Sequence, residues 1–182
     1  EFGRNGWIYW TFAQRDAAKL MHAEPDPAKH VLAHVFKIAI DPFVGKMGIF
    51  RVHQGTLKAG AQLFVGDARK PIKIAHLYQL QGKEHTEIAQ AIPGDICAVP
   101  QIDELHFDAV LHDSHDEDHH HLKSVSFPPA MRGLAIRAEK RGDEQKLSEG
   151  LHRLVAEDPC VRVEHHTAQN ETVLYGLGDL HL

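Results

Sequence analysis

Short segments of alternating apolar and polar residues, each ended by a turn signal, recur about every 8–12 residues between Val31 and Val99. Asp41-Pro42 ends the first segment, because proline has no backbone hydrogen to donate to a strand ladder. Segments of this length and spacing predict a closed β-barrel over residues 31–112. The apolar residues of the first segment share one parity: Leu32, Phe36, Ile38 and Ile40. The later strands are predicted at Met47–His53, Gln62–Val65, Ile72–Gln81 and Ile96–Val99.

Residues 1–30 precede the barrel and remain unassigned. The aromatic stretch Trp7–Phe12 is followed by a predicted short helix over 17–21, whose apolar residues are alanine, leucine and methionine. Pro25 and Pro27 then predict a linker, since each proline removes a donor and restricts the residue before it.

Residues 113–126 form a loop rich in histidine and aspartate, and we expect the run His112–His121 to lie on the surface. Residues 127–182 then read strand, helix, strand, strand, which is a truncated ferredoxin-like βαββ unit. Asp143 is a suitable N-cap for the helix, and the two later strands form a hairpin. One buried helix face is predicted from the spacing of Leu147, Leu151, Leu154 and Val155. The fold class is therefore mainly β, with an α+β unit at the end.

The composition limits which partners are plausible. The 182 residues carry a formal net charge of −5, and their apolar runs are too short to cross a bilayer. We expect a cytoplasmic protein with reduced thiols and with neither a membrane nor DNA as partner. Contact with RNA phosphates would need a local basic patch, the alternative being ordinary solvated surface. The candidates for such a patch are Lys46, Arg51, Lys58, Arg132, Arg137, Lys140 and Arg141.

The sequence offers little chemistry for catalysis. The phosphate-binding pattern GxxxxGK[ST] is missing, and no nucleophile–base pair or paired-carboxylate motif stands out, so no catalytic or cofactor-binding residue is predicted. His115, His119 and His121 are weak candidates for a Zn²⁺ or Ni²⁺ site. The alternative is a flexible, solvated loop, because no framework would hold these ligands in tetrahedral geometry.

Six short motifs, in matching order over residues 31–182, resemble domains II and III of the elongation factor G family. That family combines a translation-factor β-barrel with a ferredoxin-like domain. The departures at 142–145, Leu177 and Asp179 are more like those of divergent elongation factor G-like paralogues. The motifs are Asp41–Lys46, Phe50–Leu57, Pro93–Ile96, Asp143–Leu147, Glu157–Pro159 and Gly176–Leu182.

The resemblance implies a parent GTPase whose GTP and Mg²⁺ are bound by an N-terminal domain outside this chain. It implies that this fragment is not itself an enzyme. Its partners would be ribosomal RNA, a small-subunit protein and the missing GTPase domain. Translocation, ribosome recycling or neither remain open as the role of the parent. The alternative function is a self-contained binding module, with metal binding as one option, unrelated to translation. Because the second unit is truncated, we expect weaker hydrogen-exchange protection over 131–182 than in the barrel.

Overall fold

The computed structural model describes residues 9–14, 17–22, 25–41, 43–82, 84–115, 126–140 and 142–182, with only the backbone described for 9–22. The chain divides into two compact units, Glu1–Ser124 and Val125–Leu182. We call them the barrel unit and the second unit.

The barrel unit opens with a two-stranded hairpin, β1 (Tyr9–Gln14) and β2 (Ala17–His22). The two strands pair antiparallel along their whole length, from Tyr9 opposite His22 to Gln14 opposite Ala17. The helix predicted over 17–21 is therefore wrong. Alanine, leucine and methionine have high helix propensities, but propensity is easily overridden by context, and pairing with a neighbouring strand overrides it here.

The remaining strands of this unit form one eight-stranded sheet and a small two-stranded sheet, in which β5 pairs with β10. The eight strands lie in the order β7-β6-β12-β3-β4-β11-β8-β9, with β7 and β9 at the edges. The sheet curls around one apolar core as a half-barrel, which confirms the predicted barrel-type fold but not full closure of the ladder. The strands are β3 (Leu32–Asp41), β4 (Gly45–Gln54), β5 (Leu57–Lys58), β6 (Gln62–Val65), β7 (Ile72–Lys73), β8 (Tyr78–Gln81), β9 (Glu84–Glu87), β10 (Gln90–Ala91), β11 (Ile96–Pro100) and β12 (Val110–His112).

A β-bulge changes which residues of β3 face the core. Val35 lies opposite Phe50 and Lys37 opposite Ile49, so Phe36 is an extra residue on its strand. Val35 and Ile38 are both buried in the core, whereas Phe36 is 39% exposed. The predicted single parity is therefore wrong, because the inward positions change from odd to even numbers at the bulge.

Three further parts of the barrel differ from the sequence prediction. The strand predicted over 72–81 is two strands, β7 and β8, and between them Ile74 and Leu77 turn into the core. The short strands β5 and β10, together with β9 and β12, were not predicted at all. Strand β9 has only polar side chains, all exposed, so it lacks the alternation that a half-buried strand shows.

The second unit is a three-stranded antiparallel sheet with one helix. Its strands are β13 (Arg132–Ile136), β14 (Arg162–His166) and β15 (Glu171–Gly176), in the order β13-β15-β14, and α1 runs over Glu144–Glu157. This arrangement confirms the predicted α+β unit with a βαββ element order.

Two details of α1 correct the prediction. Asp143 is the N-cap residue, but its carboxylate accepts no bond from a helix amide and instead lies 2.9 Å from Lys146 Nζ. Of the four predicted face residues, only Leu151 is buried, while Leu154 and Val155 are 47% and 40% exposed. A groove of about 440 Å³ separates this helix from the sheet. One helix cannot cover the apolar face of the sheet by itself, so much of the predicted burial is missing.

Candidate functional site

The basic candidates of the barrel do not form one patch. Lys46 and Arg51 lie on β4, five residues and about 16 Å apart, and their odd spacing directs them to opposite faces. Lys46 Nζ donates to the backbone oxygen of Asp103 at 2.8 Å. Lys58 lies exposed on β5. Any RNA contact by Lys46 and Arg51 would therefore be distributed over separate surfaces.

Arg51 lies in a partly buried polar cluster. It is opposite His34 in the register of β3 and β4, and its Nε is buried without a hydrogen-bond acceptor among the described residues. His34 Nε2 lies 2.8 Å from Asp108 Oδ1, and the rings of His34 and His53 stack at 6.4 Å. Arg51 is therefore less free to reach a phosphate than its charge alone would indicate.

The two histidines beside Arg51 are poor sites for a proton. Burial lowers the pKa of His53 to about 4, and the neighbouring His34 and Arg51 act in the same direction. Burial also lowers the pKa of His34, although its contact with Asp108 acts the opposite way. At neutral pH, the positive charge of this cluster therefore resides on Arg51.

The basic candidates of the second unit fall into two groups. Arg132 Nε lies 2.7 Å from Asp179 Oδ1, so its charge is already partnered. Arg137 and Lys140 are exposed, and their side chains make neither an ion pair nor a hydrogen bond within the described parts of the chain. Arg141 lies outside the described residues. Arg137 and Lys140 are thus the candidates best placed to meet an incoming anion.

The predicted histidine-rich loop is described only at its start. His112 belongs to β12 and is 1% exposed, so its expected surface position is wrong. The ring of His115 packs against that of Phe64, with centroids 4.2 Å apart and the planes tilted by 41°, while His119 and His121 lie outside the described residues. Among the described residues, no three histidine, cysteine, aspartate or glutamate side chains form a group that could hold a metal ion. Metal binding by this loop stays a prediction.

Two of the motifs meet in the second unit. Asp158, from Glu157–Pro159, accepts a hydrogen bond from His181 Nε2 at 2.9 Å, and His181 belongs to Gly176–Leu182. His181 Nδ1 in turn accepts the Leu177 N–H at 3.0 Å, which fixes the hydrogen on Nε2. The backbone N–H of Cys160, followed by the contact with His181, lowers the pKa of Asp158. This Asp158–His181 clasp joins the end of α1 to the segment after β15, and sequence reasoning missed it.

Gly176 lies against the residues of that clasp. A Cβ at this position would lie 2.7 Å from Leu182 Cδ2 and 3.1 Å from His181 Nδ1. These near atoms belong to side chains, so a larger residue at 176 would displace Leu182 and His181 from their present positions. The first glycine of the motif therefore has a packing role.

Both cysteines are free thiols. Burial raises the pKa of Cys97 to about 11, and burial together with Asp158 raises the pKa of Cys160. A thiol that stays protonated is a weak nucleophile, so neither residue has the character of a reactive cysteine. In addition, no helix of the described chain is both long and apolar enough to cross a membrane.

Comparison with known families assigns each unit separately. Residues 30–112 match the family model described as elongation factor G domain 2, and residues 127–182 match elongation factor G, domain III. The two matches follow the order of the motifs along the chain. The fold and the two matches therefore define a pair of elongation factor G domains, domain 2 followed by domain III.

Individual relatives agree with this class. The chain is 33% identical over 159 residues to elongation factor G of Amoebophilus asiaticus (strain 5a2) and 34% identical over 147 residues to that of Ruegeria pomeroyi. These alignments cover 87% and 81% of this chain but only 22% and 21% of the relatives. A crystal structure of a Thermus thermophilus protein superposes with a TM-score of 0.71 and 31% identity, over 84% of this chain and 23% of that one. The chain belongs to the elongation factor G family and spans about a fifth of the length of these relatives.

Proposed function

We propose that this chain is the part of a cytoplasmic elongation factor G-type GTPase that docks on the ribosome and relays the state of a nucleotide bound elsewhere. The observation that carries the proposal is the pair of family matches, 30–112 and 127–182, in one order on one chain. A barrel followed by an α+β unit, without a phosphate-binding loop in the sequence, suits mechanical coupling rather than catalysis.

Docking on RNA requires positive charge that is not already neutralised. The net charge of −5 opposes general attraction to phosphates, so local residues must supply it. Arg137 and Lys140 meet this requirement because both side chains are exposed and unpaired among the described residues. Arg132 is held by Asp179, so we assign it a smaller share of the contact.

A relay requires parts that move as units. The Asp158–His181 clasp fixes the end of α1 to the segment after β15, and charge-assisted hydrogen bonds of this kind are stronger than neutral ones. A displacement of the helix would then be carried to that segment instead of being absorbed between them. This coupling is the proposed contribution of the second unit to the relay.

Ribosome binding by the whole 182-residue chain tests the docking proposal. The double substitution Arg137→Ala with Lys140→Ala removes two exposed charges. We expect weaker binding to purified ribosomes and a salt dependence whose slope falls by about 2, roughly 1 for each lost phosphate contact. The measurement is sedimentation with ribosomes over a series of salt concentrations.

The matched control is Arg69→Ala with Lys70→Ala, which removes the same charge from exposed positions of the barrel. Equal weakening by both pairs would show a nonspecific charge effect and contradict the assignment to Arg137 and Lys140. Calorimetry with GTP should give no stoichiometric binding to this chain. Stoichiometric binding would contradict the proposal that the nucleotide is bound by a separate GTPase domain.

A further inference from the structure

The segment leading into the barrel is fixed to the end of β4 by three hydrogen bonds. We define residues 26–31 as the leading segment. The Gly55 N–H donates to Asp26 O at 3.0 Å, and Thr56 Oγ1 donates to Pro27 O at 2.9 Å. Gln54 Nε2 donates to His30 O at 3.2 Å. The three donors are consecutive residues, so one short turn holds most of the leading segment.

Gly55 brings this turn and the leading segment into direct contact. Its φ is +75°, and a Cβ built on it would lie 2.6 Å from His30 O and 2.7 Å from Val31 Cα. A side chain would therefore be strained by the backbone conformation and would collide with backbone atoms. The glycine of the Phe50–Leu57 motif thus gives the leading segment a fixed position on the barrel.

The segment that leaves the barrel meets the leading segment through one carboxylate. We define residues 112–115 as the trailing segment. Asp113 Oδ1 accepts the Val31 N–H at 3.0 Å and lies 3.2 Å from His30 Nδ1. The Asp113 side chain is about one third exposed. A single side chain of the trailing segment therefore bonds both the backbone and a side chain of the leading segment.

The trailing segment is also fixed to the barrel on its other side. His112 is 1% exposed, and its Nδ1 and Nε2 each lie 2.8 Å from a carbonyl oxygen, of Ser114 and Gly66 respectively. His115 adds its contact with Phe64 of β6. Asp113 is therefore held between two anchored neighbours and cannot follow the leading segment freely.

We propose that Asp113 is a positioning residue that couples the leading and trailing segments, so that loosening either one loosens the other. The chain before the barrel and the chain after it then communicate across this contact rather than through the barrel core. Coupling of this kind is reciprocal, because the free energy that links two sites is the same in either direction. The inference concerns the barrel unit alone and does not depend on the docking or relay roles.

Hydrogen exchange of the 182-residue chain, followed in peptides that cover 26–31 and 112–115, tests the coupling. Asp113→Ala should speed exchange of the leading segment by roughly two- to tenfold, because Val31 loses its acceptor. Asp113→Asn keeps an acceptor oxygen for the Val31 N–H but loses the charge beside His30, and it should restore most of the protection. Asp103→Ala is the control, since the carboxylate of Asp103 makes no hydrogen bond within the described residues.

The reciprocal variant separates coupling from a local effect. Thr56→Val removes the bond to Pro27 O in the leading segment, and the Thr56 side chain makes no hydrogen bond to the described residues 112–115. If the segments are coupled, it should speed exchange in peptides that cover 112–115 as well. Unchanged exchange there in Thr56→Val, or unchanged exchange over 26–31 in Asp113→Ala, would overturn the proposal. An equal change in Asp103→Ala would overturn it too.

Discussion

The two units use their apolar residues very differently. In the barrel unit, eighteen buried residues form one core inside the curled sheet, among them Phe50, Leu63 and Leu111. In the second unit, Leu151 is the one large apolar side chain that is buried among the described residues, and a groove remains beside α1. A curled sheet covers its own inner face, whereas an open three-stranded sheet needs more than one helix to do so. Local stability should therefore differ between the two units.

The largest expected effect is the difference in free energy of unfolding between a substitution in the barrel core and one on the half-exposed helix of the second unit. Phe50→Ala in the barrel should cost about 3–5 kcal/mol, because a fully buried ring leaves a cavity. Leu154→Ala on the half-exposed helix face should cost less than about 1 kcal/mol. The measurement is urea unfolding in which hydrogen exchange is monitored separately for peptides of each unit.

The same experiment on the unmodified chain should show stronger protection in the barrel than over 131–182. Equal protection of the two units, or equal costs of the two substitutions, would show that the second unit is better packed than its open groove indicates.

Acid should weaken the barrel before it weakens the second unit. The pKa of His53 is lowered from 6.5 to about 4, and the pKa of His34 is also lowered. Between pH 6.5 and about pH 4, the unfolded chain therefore binds more protons than the folded chain. The stability contributed by neutral His53 is complete above pH 6.5 and is lost progressively as the pH falls toward 4. The lowered pKa of Asp158 in the second unit acts only below its ordinary value of 3.8.

Thermal unfolding of the barrel between pH 7 and pH 4 measures this loss. His53→Gln should flatten the pH dependence, since glutamine cannot take up a proton. A slope that is unchanged in His53→Gln would assign the acid sensitivity to other groups.

The smallest effect concerns the Asp158–His181 clasp. Asp158→Ala should destabilise the second unit by about 1–2 kcal/mol, because a charged acceptor of two hydrogen bonds is lost from a partly exposed site. The barrel should be unaffected, since additive behaviour is expected for distant sites. Chemical denaturation monitored separately for each unit is the measurement. Glu157→Ala is not a suitable control because Glu157 has a contact of its own, and Glu149 accepts a hydrogen bond from Gln145 Nε2. Glu139→Ala serves instead, since this exposed carboxylate makes no hydrogen bond or ion pair among the described residues.

The sequence predicted the parts of the fold that depend on local pattern. Strand β6 and the strand–helix–strand–strand order of the second unit were found because period and turn residues lie close together in the chain. The hairpin of β1 and β2 was missed because its strand pairing competes with a helical preference. Strand β9 was missed because it is held by backbone pairing with β8 and carries no apolar residue.

In the candidate sites, too, features that depend on contacts between distant residues could not be predicted from the local sequence. The motifs directed attention to Asp158 and His181, but their contact joins residues 23 positions apart and could not be derived from spacing. The burial of His112 depends on the carbonyl of Gly66, 46 residues away, so the surrounding aspartates and histidines predicted an exposed loop instead. Charge alone also could not separate the partnered Arg132 from the unpartnered Arg137.

The extra residue at Phe36 has a geometric consequence for the whole barrel unit. Where one strand has one more residue than its neighbour over the same paired length, the longer strand bends and the local twist of the pair increases. Removing that residue would leave regular alternation of Val35, Lys37 and Ile38, so the inward side chains would be kept while the bend was lost. At this position the length of the chain, rather than the aromatic ring, sets the curvature on which the enclosed core depends.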